Sequence, residues 1–351
     1  MRKTIVCLLL FALAALLLPG VEAQAEEPET GAAAAIVMSV DGEAVYERNA
    51  DQPRLIASTT KLLTALVALE RLELDAQAEI RPEWTGVEGS SMYLKAGERY
   101  SVRELLEGLL LCSGNDAATA LACLAAGNVE SFAVQMNLRA AALGLTRSHF
   151  VNPHGLDAPG HMASARDLGL IMAACLRQPA LMEILAERST VINGQSYGNH
   201  NKLLSLCPGC LGGKTGYTEA AGRCLVSACE REGTRLICVT LSDPDDWVDH
   251  QRLYNWAFAR YAERDVSAAA RFEVPVASGE TALLPVRAKP LRLFLPREAE
   301  LTLVAHLPRF VFAPITAGES AGRVEIFRSG ELIGETGLYF AEGTEKTKSE
   351  K

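Results

Sequence analysis

The order of sequence patterns predicts a mixed α/β fold, with a sheet sandwiched by helices, followed by a small all-β domain. Strand-like runs begin near residue 33, apolar helices follow, and three strands and a helix complete the region by residue 261. The helix that begins near Ser58 is apolar on nearly every face from Leu62 onward, which indicates a buried, central position. Beyond Arg264, only short strand-like segments separated by turn residues remain.

Length and composition are those of a globular protein. A chain of 351 residues suits one large and one smaller domain, and 49% hydrophobic with 22% charged residues allows a substantial core. The net charge is −9, and the lysines and arginines are scattered without a basic block. This balance argues against nucleic acid as a partner.

The first residues have the pattern of an export signal. Two basic residues precede an apolar run over residues 5–18, which is shorter than a membrane span requires. A proline-glycine break then leads to the small-x-small sequence Val21-Glu22-Ala23, with Ala23-Gln24-Ala25 as a second cleavage site. We therefore expect an exported protein with a signal peptide over residues 1–23 and a disordered acidic leader over residues 24–31.

Turn and cap signals define the elements that follow. Asp41-Gly42 predicts a hairpin between strands 33–40 and 43–48, and residues 81–99 have no clear period. A capping box from Ser101 to Glu104 opens a helix to about residue 111. Further helices are predicted to end near residues 126, 143, 177, 188 and 261, with a hairpin at Asn193-Gly194 and strands over 211–218, 223–228 and 235–241.

The short strand-like segments of the C-terminal part predict a small β domain. We expect the main domain over residues 32–262, the β domain over 265–341 and a disordered charged tail over 342–351. Its strand-like segments are 272–276, 291–295, 301–303, 324–328 and 331–338.

The chain has nine cysteines, and eight remain once the segment that carries Cys7 is removed. Six of these lie within apolar segments, where buried free thiols are the default. Cys207-Pro208-Gly209-Cys210 is different and is compatible with a short disulfide loop, a metal half-site or a redox pair. Zinc is disfavoured because no second C-x-x-C accompanies this one, and of the remaining possibilities we favour the local disulfide.

Ser58 and Lys61 lie three residues apart at the start of the buried helix, which places both side chains on one face. Unpaired N–H groups and the positive dipole end of a helix favour the negative charge of an oxyanion. A lysine beside an apolar helix can act as a base, because burial and a second cation lower its pKa. The alternative, an N-cap serine followed by a solvated lysine, is not excluded by this spacing alone.

Two further polar motifs are candidates for the same site. Ser113-Gly114-Asn115 lies at a corner between two helices, where short side chains can point into a cleft or simply cap a turn. Lys214-Thr215-Gly216 lies on a predicted strand, and glycines around it allow a substrate to approach the strand edge. A solvated lysine on an edge strand is the alternative there.

Taken in order, the S-x-x-K, S-x-N and K-T-G motifs resemble the active-site set of the penicillin-binding proteins and serine β-lactamases. The S-G-N form is similar to that of the low-molecular-weight D-alanyl-D-alanine carboxypeptidases, serine peptidases of the S11 type with a β-lactamase/transpeptidase-like fold. The resemblance covers about residues 33–261, and the β tail resembles the second domain of that family. Matching flanks are Arg48-Asn49-Ala50-Asp51, Met136-Asn137, Asn152-Pro153-His154-Gly155-Leu156, Asn201-Lys202-Leu203-Leu204 and Gly213-Lys214-Thr215-Gly216-Tyr217-Thr218.

This resemblance implies an order of catalytic steps. Ser58 attacks the carbonyl between the two terminal D-alanines of a peptidoglycan stem peptide, releases D-alanine and leaves an acyl-enzyme that water hydrolyses. Lys61 acts as the general base, and Ser113, bonded to the lysines, relays a proton to the leaving amine. His154, in a turn-rich loop, is expected to be structural rather than catalytic.

Substrate binding follows from the same resemblance. Asn115 is expected to hold the substrate amide, and Lys214 and Thr215 its terminal carboxylate. The backbone N–H groups of Ser58 and Tyr217 form the expected oxyanion hole. β-Lactams acylate the serine as substrate mimics, and the chemistry requires no metal or organic cofactor. The residues implied in binding are Asn115, Lys214, Thr215, Gly216 and Tyr217.

Three alternatives have distinct sequence requirements. A class A-type β-lactamase carries an E-x-x-L-N loop, which does not occur between Asn115 and Lys214. An endopeptidase of the same family would cut cross-links instead of releasing terminal D-alanine. A catalytically silent wall-binding protein would keep the fold, but this chain retains every motif side chain.

The C-terminus differs from that of several carboxypeptidases of this type, which end in an amphipathic helix lying on the membrane. Residues 337–348 are too short and polar a stretch for such a helix. We therefore expect a protein of the cell wall or periplasm that acts in peptidoglycan remodelling and lacks a firm membrane anchor.

Overall fold

The computed structural model describes residues 27–347, so the predicted signal peptide lies outside the described residues. Up to residue 260 the chain alternates between strands and helices. In sequence order they are β1 (Ala34–Ser39), β2 (Ala44–Arg48), α1 (Lys61–Leu69), β3 (Gln77–Glu79), β4 (Arg99–Ser101), α2 (Val102–Leu110), α3 (Asn115–Ala126), α4 (Val129–Ala142), α5 (Ala165–Leu176), α6 (Pro179–Ala186), β5 (Ser189–Ile192), β6 (Gln195–Gly198), α7 (Leu203–Leu206), β7 (Cys210–Thr218), β8 (Gly222–Arg231), β9 (Thr234–Leu241) and α8 (Asp246–Arg260).

Five strands form one antiparallel sheet in the order β2-β1-β9-β8-β7. Successive side chains on a strand point to opposite faces, so Ile36 and Met38 of β1 join one core while Val37 joins another. The first core lies between the sheet and helices α1 to α6, and the second lies between the sheet and α8. This layered arrangement confirms the predicted fold class.

Helix α1 lies inside the first core. Leu62, Leu63 and Leu66 are fully buried, as the apolar pattern predicts. The chain enters α1 through a 3₁₀ turn, Ala57–Thr60, so Ser58 lies on this turn and Lys61 is the first residue of the α-helix. The start of a buried helix therefore carries both polar side chains of the first motif into the interior.

The C-terminal part is built from strands, as predicted. A third core collects buried residues between 266 and 340. The strands are β10 (Tyr261–Asp265), β11 (Arg271–Ala277), β12 (Leu283–Ala288), β13 (Arg292–Pro296), β14 (Thr302–His306), β15 (Val311–Phe312), β16 (Ser320–Arg328) and β17 (Glu331–Phe340). Six of them form a sheet in the order β14-β16-β17-β12-β11-β15, and β10 pairs with β13. Strand β12, which the sequence patterns did not identify, lies between β17 and β11.

Both ends of the described chain are held by hydrogen bonds that the sequence did not predict. Gly31 N–H donates to Asp249 Oδ2 at 2.8 Å. Thr344 exchanges two backbone hydrogen bonds of 2.9 Å with Ile315. The predicted disorder of residues 24–31 and 342–351 stays a prediction. Within the described residues, backbone groups at Gly31 and Thr344 have hydrogen-bond partners on the folded domains.

The predicted disulfide between Cys207 and Cys210 is absent, because both residues are free thiols. Cys207 follows the end of α7 and is buried in the second core, whereas Cys210 begins β7 and has its sulfur 3.8 Å from the Gly212 carbonyl oxygen. The side chains of both residues contact the second core, and their sulfur atoms have different polar neighbours.

Among the helices of residues 27–347, no single one is both long and apolar enough to span a membrane. Two bent pairs, α3 with α4 and α5 with α6, reach that threshold together on length and composition. Their apolar residues form part of the first core.

Candidate active site

Ser58 and Lys61 meet where the 3₁₀ turn becomes α1. Lys61 Nζ lies 2.8 Å from Ser58 Oγ. It also donates hydrogen bonds of 2.6 Å to Asn115 Oδ1 and of 2.6 Å to the His154 carbonyl oxygen. Lys61 is fully buried. The amine of Lys61 is therefore fixed by three oxygen atoms, one of which is the hydroxyl oxygen of Ser58.

Lys214 comes from β7, the strand that ends the sheet order, and reaches the corner between α2 and α3. Its Nζ donates to Ser113 Oγ at 3.0 Å and to the Thr215 carbonyl oxygen at 2.8 Å. Ser113 has a φ of +65°, a left-handed conformation that is strained for a residue with a side chain. The sequence analysis expected Ser113 to contact both lysines, and in the described structure its hydroxyl is hydrogen-bonded to Lys214.

Burial lowers the pKa of both amines. For Lys61 the main cause is lost hydration, and the nearby charge of Lys214 adds to it, so the pKa lies well below its ordinary value of 10.5. Burial also lowers the pKa of Lys214 to about 7, against a smaller opposing contribution from Cys112. A neutral amine is thus accessible within this cleft near neutral pH.

Asn115 uses both of its polar side-chain atoms inside the protein. Its Oδ1 accepts from Lys61, and its Nδ2 donates to the Glu88 carbonyl oxygen at 2.5 Å. The residue is buried. These contacts orient the amine of Lys61, and the expected contact with a substrate amide would require Nδ2 to leave the Glu88 carbonyl oxygen.

The edge of β7 passes close to the 3₁₀ turn. A Cβ on Gly216 would lie 2.9 Å from the Ile56 carbonyl oxygen and 3.0 Å from the Ser58 nitrogen, so this approach requires glycine. A cleft of about 600 Å³ opens in front of the turn, with Ser58, Ser113, Thr215, Gly216, Tyr217 and Arg223 among its lining residues. Within residues 27–347, no group of three or more His, Cys, Asp and Glu side chains is arranged to hold a metal ion.

Comparison with known proteins agrees with this geometry. The profile of the peptidase S11 family, described as D-alanyl-D-alanine carboxypeptidase, matches residues 21–245. The chain belongs to this family. It is therefore a serine peptidase, and the fold and family predictions are confirmed.

Individual relatives cover most of the chain. The D-alanyl-D-alanine carboxypeptidase DacB2 of Mycobacterium tuberculosis is 38% identical over 245 residues, 66% of this chain and 84% of that protein. DacC of Escherichia coli is 32% identical over 356 residues, 93% of this chain and 87% of its own length. The structure of penicillin binding protein 5 from Haemophilus influenzae is similar with a TM-score of 0.72 and 28% identity, covering 92% of this chain and 99% of that chain.

Residues to which the sequence analysis assigned no role hold the 3₁₀ turn that carries Ser58 in place. Ala57 has a φ of +46°, and its carbonyl oxygen accepts from Thr60 Oγ1 at 2.8 Å. Val151 N–H donates to His161 Nδ1 at 3.0 Å, so the proton of a neutral ring is on Nε2, 2.8 Å from Thr60 Oγ1. Burial lowers the pKa of His161 to about 4, which keeps the ring neutral near pH 7.

The loop 152–156 contributes backbone rather than side chains. The carbonyl of His154 binds Lys61, while its ring accepts from Leu156 N–H at 3.2 Å, in agreement with the predicted structural role. Gly155 has a φ of +87°, and a Cβ there would lie only 2.0 Å from the Ala57 carbonyl oxygen. Sequence signals mark this loop through its glycine and proline, but they cannot reveal which carbonyl it presents.

Gly155→Ala tests whether this backbone contact sets the position of the nucleophile. The new Cβ must displace the Ala57 carbonyl and with it Ser58, and a displacement near 1 Å costs roughly 100-fold in rate. We expect the rate of acylation by a labelled penicillin to fall by about that factor.

Gly160→Ala is the matched control, because Gly160 has a similar φ of +82° and only one neighbouring atom, His149 Nδ1 at 3.8 Å. It should lower stability by about 1 kcal/mol through backbone strain and leave acylation unchanged. Equal acylation rates in the two variants would contradict the positioning role of Gly155.

Proposed function

We propose that this chain is an exported serine D-alanyl-D-alanine carboxypeptidase that removes the terminal D-alanine from peptidoglycan stem pentapeptides through an acyl-enzyme on Ser58. The observation that carries the proposal is the environment of Lys61 Nζ, which is buried and lies within 2.8 Å of Ser58 Oγ. Such an amine can take the proton of the serine hydroxyl as it attacks the substrate carbonyl.

The hydrogen-bond inventory of Lys61 supports the base role. A neutral amine has two N–H groups and one lone pair. Asn115 Oδ1 and the His154 carbonyl oxygen can only accept, so they use both N–H groups. The lone pair is then left for the third neighbour, the Ser58 hydroxyl. Neutral Lys61 is therefore oriented to accept the proton that Ser58 must lose.

Proton delivery to the leaving group is assigned to Ser113. Its hydroxyl oxygen accepts from Lys214 Nζ at 3.0 Å, which leaves the hydroxyl proton free to be donated into the cleft. As the C–N bond breaks, that proton passes to the amine of the departing D-alanine, and Lys214 restores the proton of Ser113. In the return step water gives a proton through Ser113 to neutral Lys214 and attacks the acyl carbon, and Lys61 returns its proton to Ser58 Oγ as the ester bond breaks.

We assign recognition of the substrate's free carboxylate to Lys214 and Thr215. Thr215 lines the cleft, and Lys214 is hydrogen-bonded to Ser113, which also lines it. Protonated Lys214 attracts the carboxylate, and the Thr215 hydroxyl adds a hydrogen bond. The backbone N–H groups of Ser58 and Tyr217 are proposed as the oxyanion hole, because Gly216 brings the strand next to the Ser58 nitrogen. Asn115 binds the substrate amide once its Nδ2 exchanges the hydrogen bond to the Glu88 carbonyl oxygen for one to the substrate.

The remaining assignments rest on sequence and family. Export, action in the cell wall or periplasm, and acylation by β-lactams fit the signal-like start and the family to which the chain belongs. We assign catalysis to residues 32–262 and a supporting role to the β domain, residues 265–341.

Penicillin labelling with mass mapping tests the nucleophile. We expect the label on the peptide that contains Ser58, and no label in Ser58→Ala. Ser90→Ala is the control, because Ser90 lines the same cleft and should keep the label. Free D-alanine released from a pentapeptide, with cross-linked dimers left intact, would then support the carboxypeptidase over the endopeptidase. Labelling elsewhere, or labelling without any peptide turnover, would contradict the proposal.

The pH dependence follows from the two lysines. Acylation needs neutral Lys61, so kcat/KM should rise with pH through the lowered pKa of that residue. Carboxylate binding needs charged Lys214, whose pKa of about 7 predicts a fall in kcat/KM as pH rises above that value. In the substrate complex the carboxylate raises the pKa of Lys214, so the alkaline fall in kcat should occur at higher pH.

A C-terminally amidated substrate provides the control for this profile. It lacks the carboxylate but needs the same proton relay, so the preference in kcat/KM for the free-acid substrate should be largest below about pH 7 and shrink as Lys214 loses its charge at higher pH. A preference for the free acid that does not change with pH would contradict the role given to Lys214 in carboxylate binding.

A further inference from the structure

Three cysteines lie beside the cleft wall and take no part in the chemistry above. Cys207 follows α7, Cys210 begins β7, and Cys229 lies on β8 directly opposite Cys210. Cys207 and Cys229 are both buried in the second core. The segment before α7 supplies Asn199, His200 and Lys202 to the wall of the active-site cleft. The thiols therefore lie where one end of that wall is joined to the sheet.

The turn Pro208-Gly209 brings Cys207 over Cys229. The Cys229 thiol donates to the Pro208 carbonyl oxygen at 3.3 Å, and Cys207 Sγ lies 4.0 Å from the same oxygen. Both sulfur atoms therefore lie beside one oxygen atom, and each thiol shifts the pKa of the other. Gly209, with a φ of +84°, permits the approach, since a Cβ there would lie 2.2 Å from the Glu230 carbonyl oxygen.

Cys210 has other polar neighbours. Its sulfur lies 3.8 Å from the Gly212 carbonyl oxygen and 4.0 Å from Asn201 Nδ2. Its backbone is paired with that of Cys229, and its side chain packs against the same second core. The contact that Cys207 and Cys229 share with the Pro208 carbonyl oxygen favours that pair over the C-x-x-C pair.

The charges around these thiols differ in a way that suits stepwise oxidation. The neighbouring Cys229 thiol and the Arg231 guanidinium, whose Nη2 lies 3.6 Å from Cys207 Sγ, lower the pKa of Cys207 to about 6. Burial raises the pKa of Cys210 to about 11. The pKa of Cys229 is also raised, first by its interaction with Cys207 and then by burial. Cys207 is thus the thiolate that attacks, and Cys229 is placed to resolve the product.

We propose that Cys207 and Cys229 form a reversible disulfide, which ties the end of α7 and the cleft wall before it to strand β8. The oxidant is a disulfide, either of a small thiol or of a thiol–disulfide oxidoreductase. Cys207 thiolate attacks one sulfur of the oxidant, forms a mixed disulfide and expels a thiolate. Cys229 gives its proton to that thiolate and attacks Cys207 Sγ, which expels the second thiolate. Two electrons pass from the protein, and the oxidant leaves as two thiols.

We expect the exchange to proceed through local opening of the turn beside the two buried thiols. Pro208 and Gly209 are exposed at the surface, and the Pro208 carbonyl oxygen contacts both sulfur atoms. The resulting ring encloses β7 with its Lys-Thr-Gly segment, so the crosslink restricts the unfolded chain and stabilises the fold. An exported protein meets the oxidising surroundings in which such bonds persist.

The test uses the full folded protein, reduced and then exposed to oxidised glutathione, followed by alkylation and peptide mass mapping. We expect loss of two thiols, a crosslink between the peptides of Cys207 and Cys229, and a melting temperature several degrees higher that returns on reduction with dithiothreitol. Cys210→Ser should behave like the unchanged protein.

Two variants separate the steps. Cys229→Ser should stop at one glutathione adduct on Cys207, and Cys207→Ser should give neither crosslink nor adduct at Cys229. Labelling of Ser58 by penicillin confirms that each variant is folded. A crosslink of Cys210 with either partner, an adduct first at Cys229, or eight unchanged thiols would each overturn the proposal. These outcomes do not depend on which peptide bond the enzyme cleaves.

Discussion

The amine of Lys61 is the constraint on which the rest of the site depends. Two lysine amines are buried in one cleft, and their partners are hydroxyls, carbonyls and an amide rather than carboxylates. Such burial opposes folding, because it favours the neutral form and leaves little to compensate a full charge. It is also what makes a base available near neutral pH. Catalytic capability and local instability therefore have the same origin, and the apolar core around α1 must offset the cost.

The fold holds that amine by bringing backbone from two separate places against the 3₁₀ turn. The loop containing Gly155 packs on the Ala57 carbonyl and presents the carbonyl of His154 to Lys61. Strand β7 approaches from the other side at Gly216. The closest contacts join backbone atoms, which cannot adjust as flexible side chains do. Small displacements of either backbone segment would therefore disturb the site. Buried His161 completes the support through Thr60.

The sequence predicted the layers, the buried helix and the convergence of three motifs, because each has a periodic pattern or a fixed spacing. It did not predict the partners of Lys61, since a backbone carbonyl leaves no residue-type signal. It placed Ser113 on both lysines and Asn115 on substrate, whereas Ser113 contacts Lys214 and Asn115 is bonded within the protein. Composition also suggested disorder at residues whose backbone is paired. In each case the missing information was a contact distant in sequence.

Titration of the lysine side chains by NMR, in protein labelled with ¹³C at the lysine Cε atoms, tests the central claim most directly. Resonances are assigned by their loss in Lys61→Ala and Lys214→Ala. The account predicts that the Lys61 resonance titrates well below the ordinary 10.5 and that the Lys214 resonance titrates at about 7. Titration of both near 10.5 would show that each amine is charged at neutral pH, and Lys61 could not then be the base.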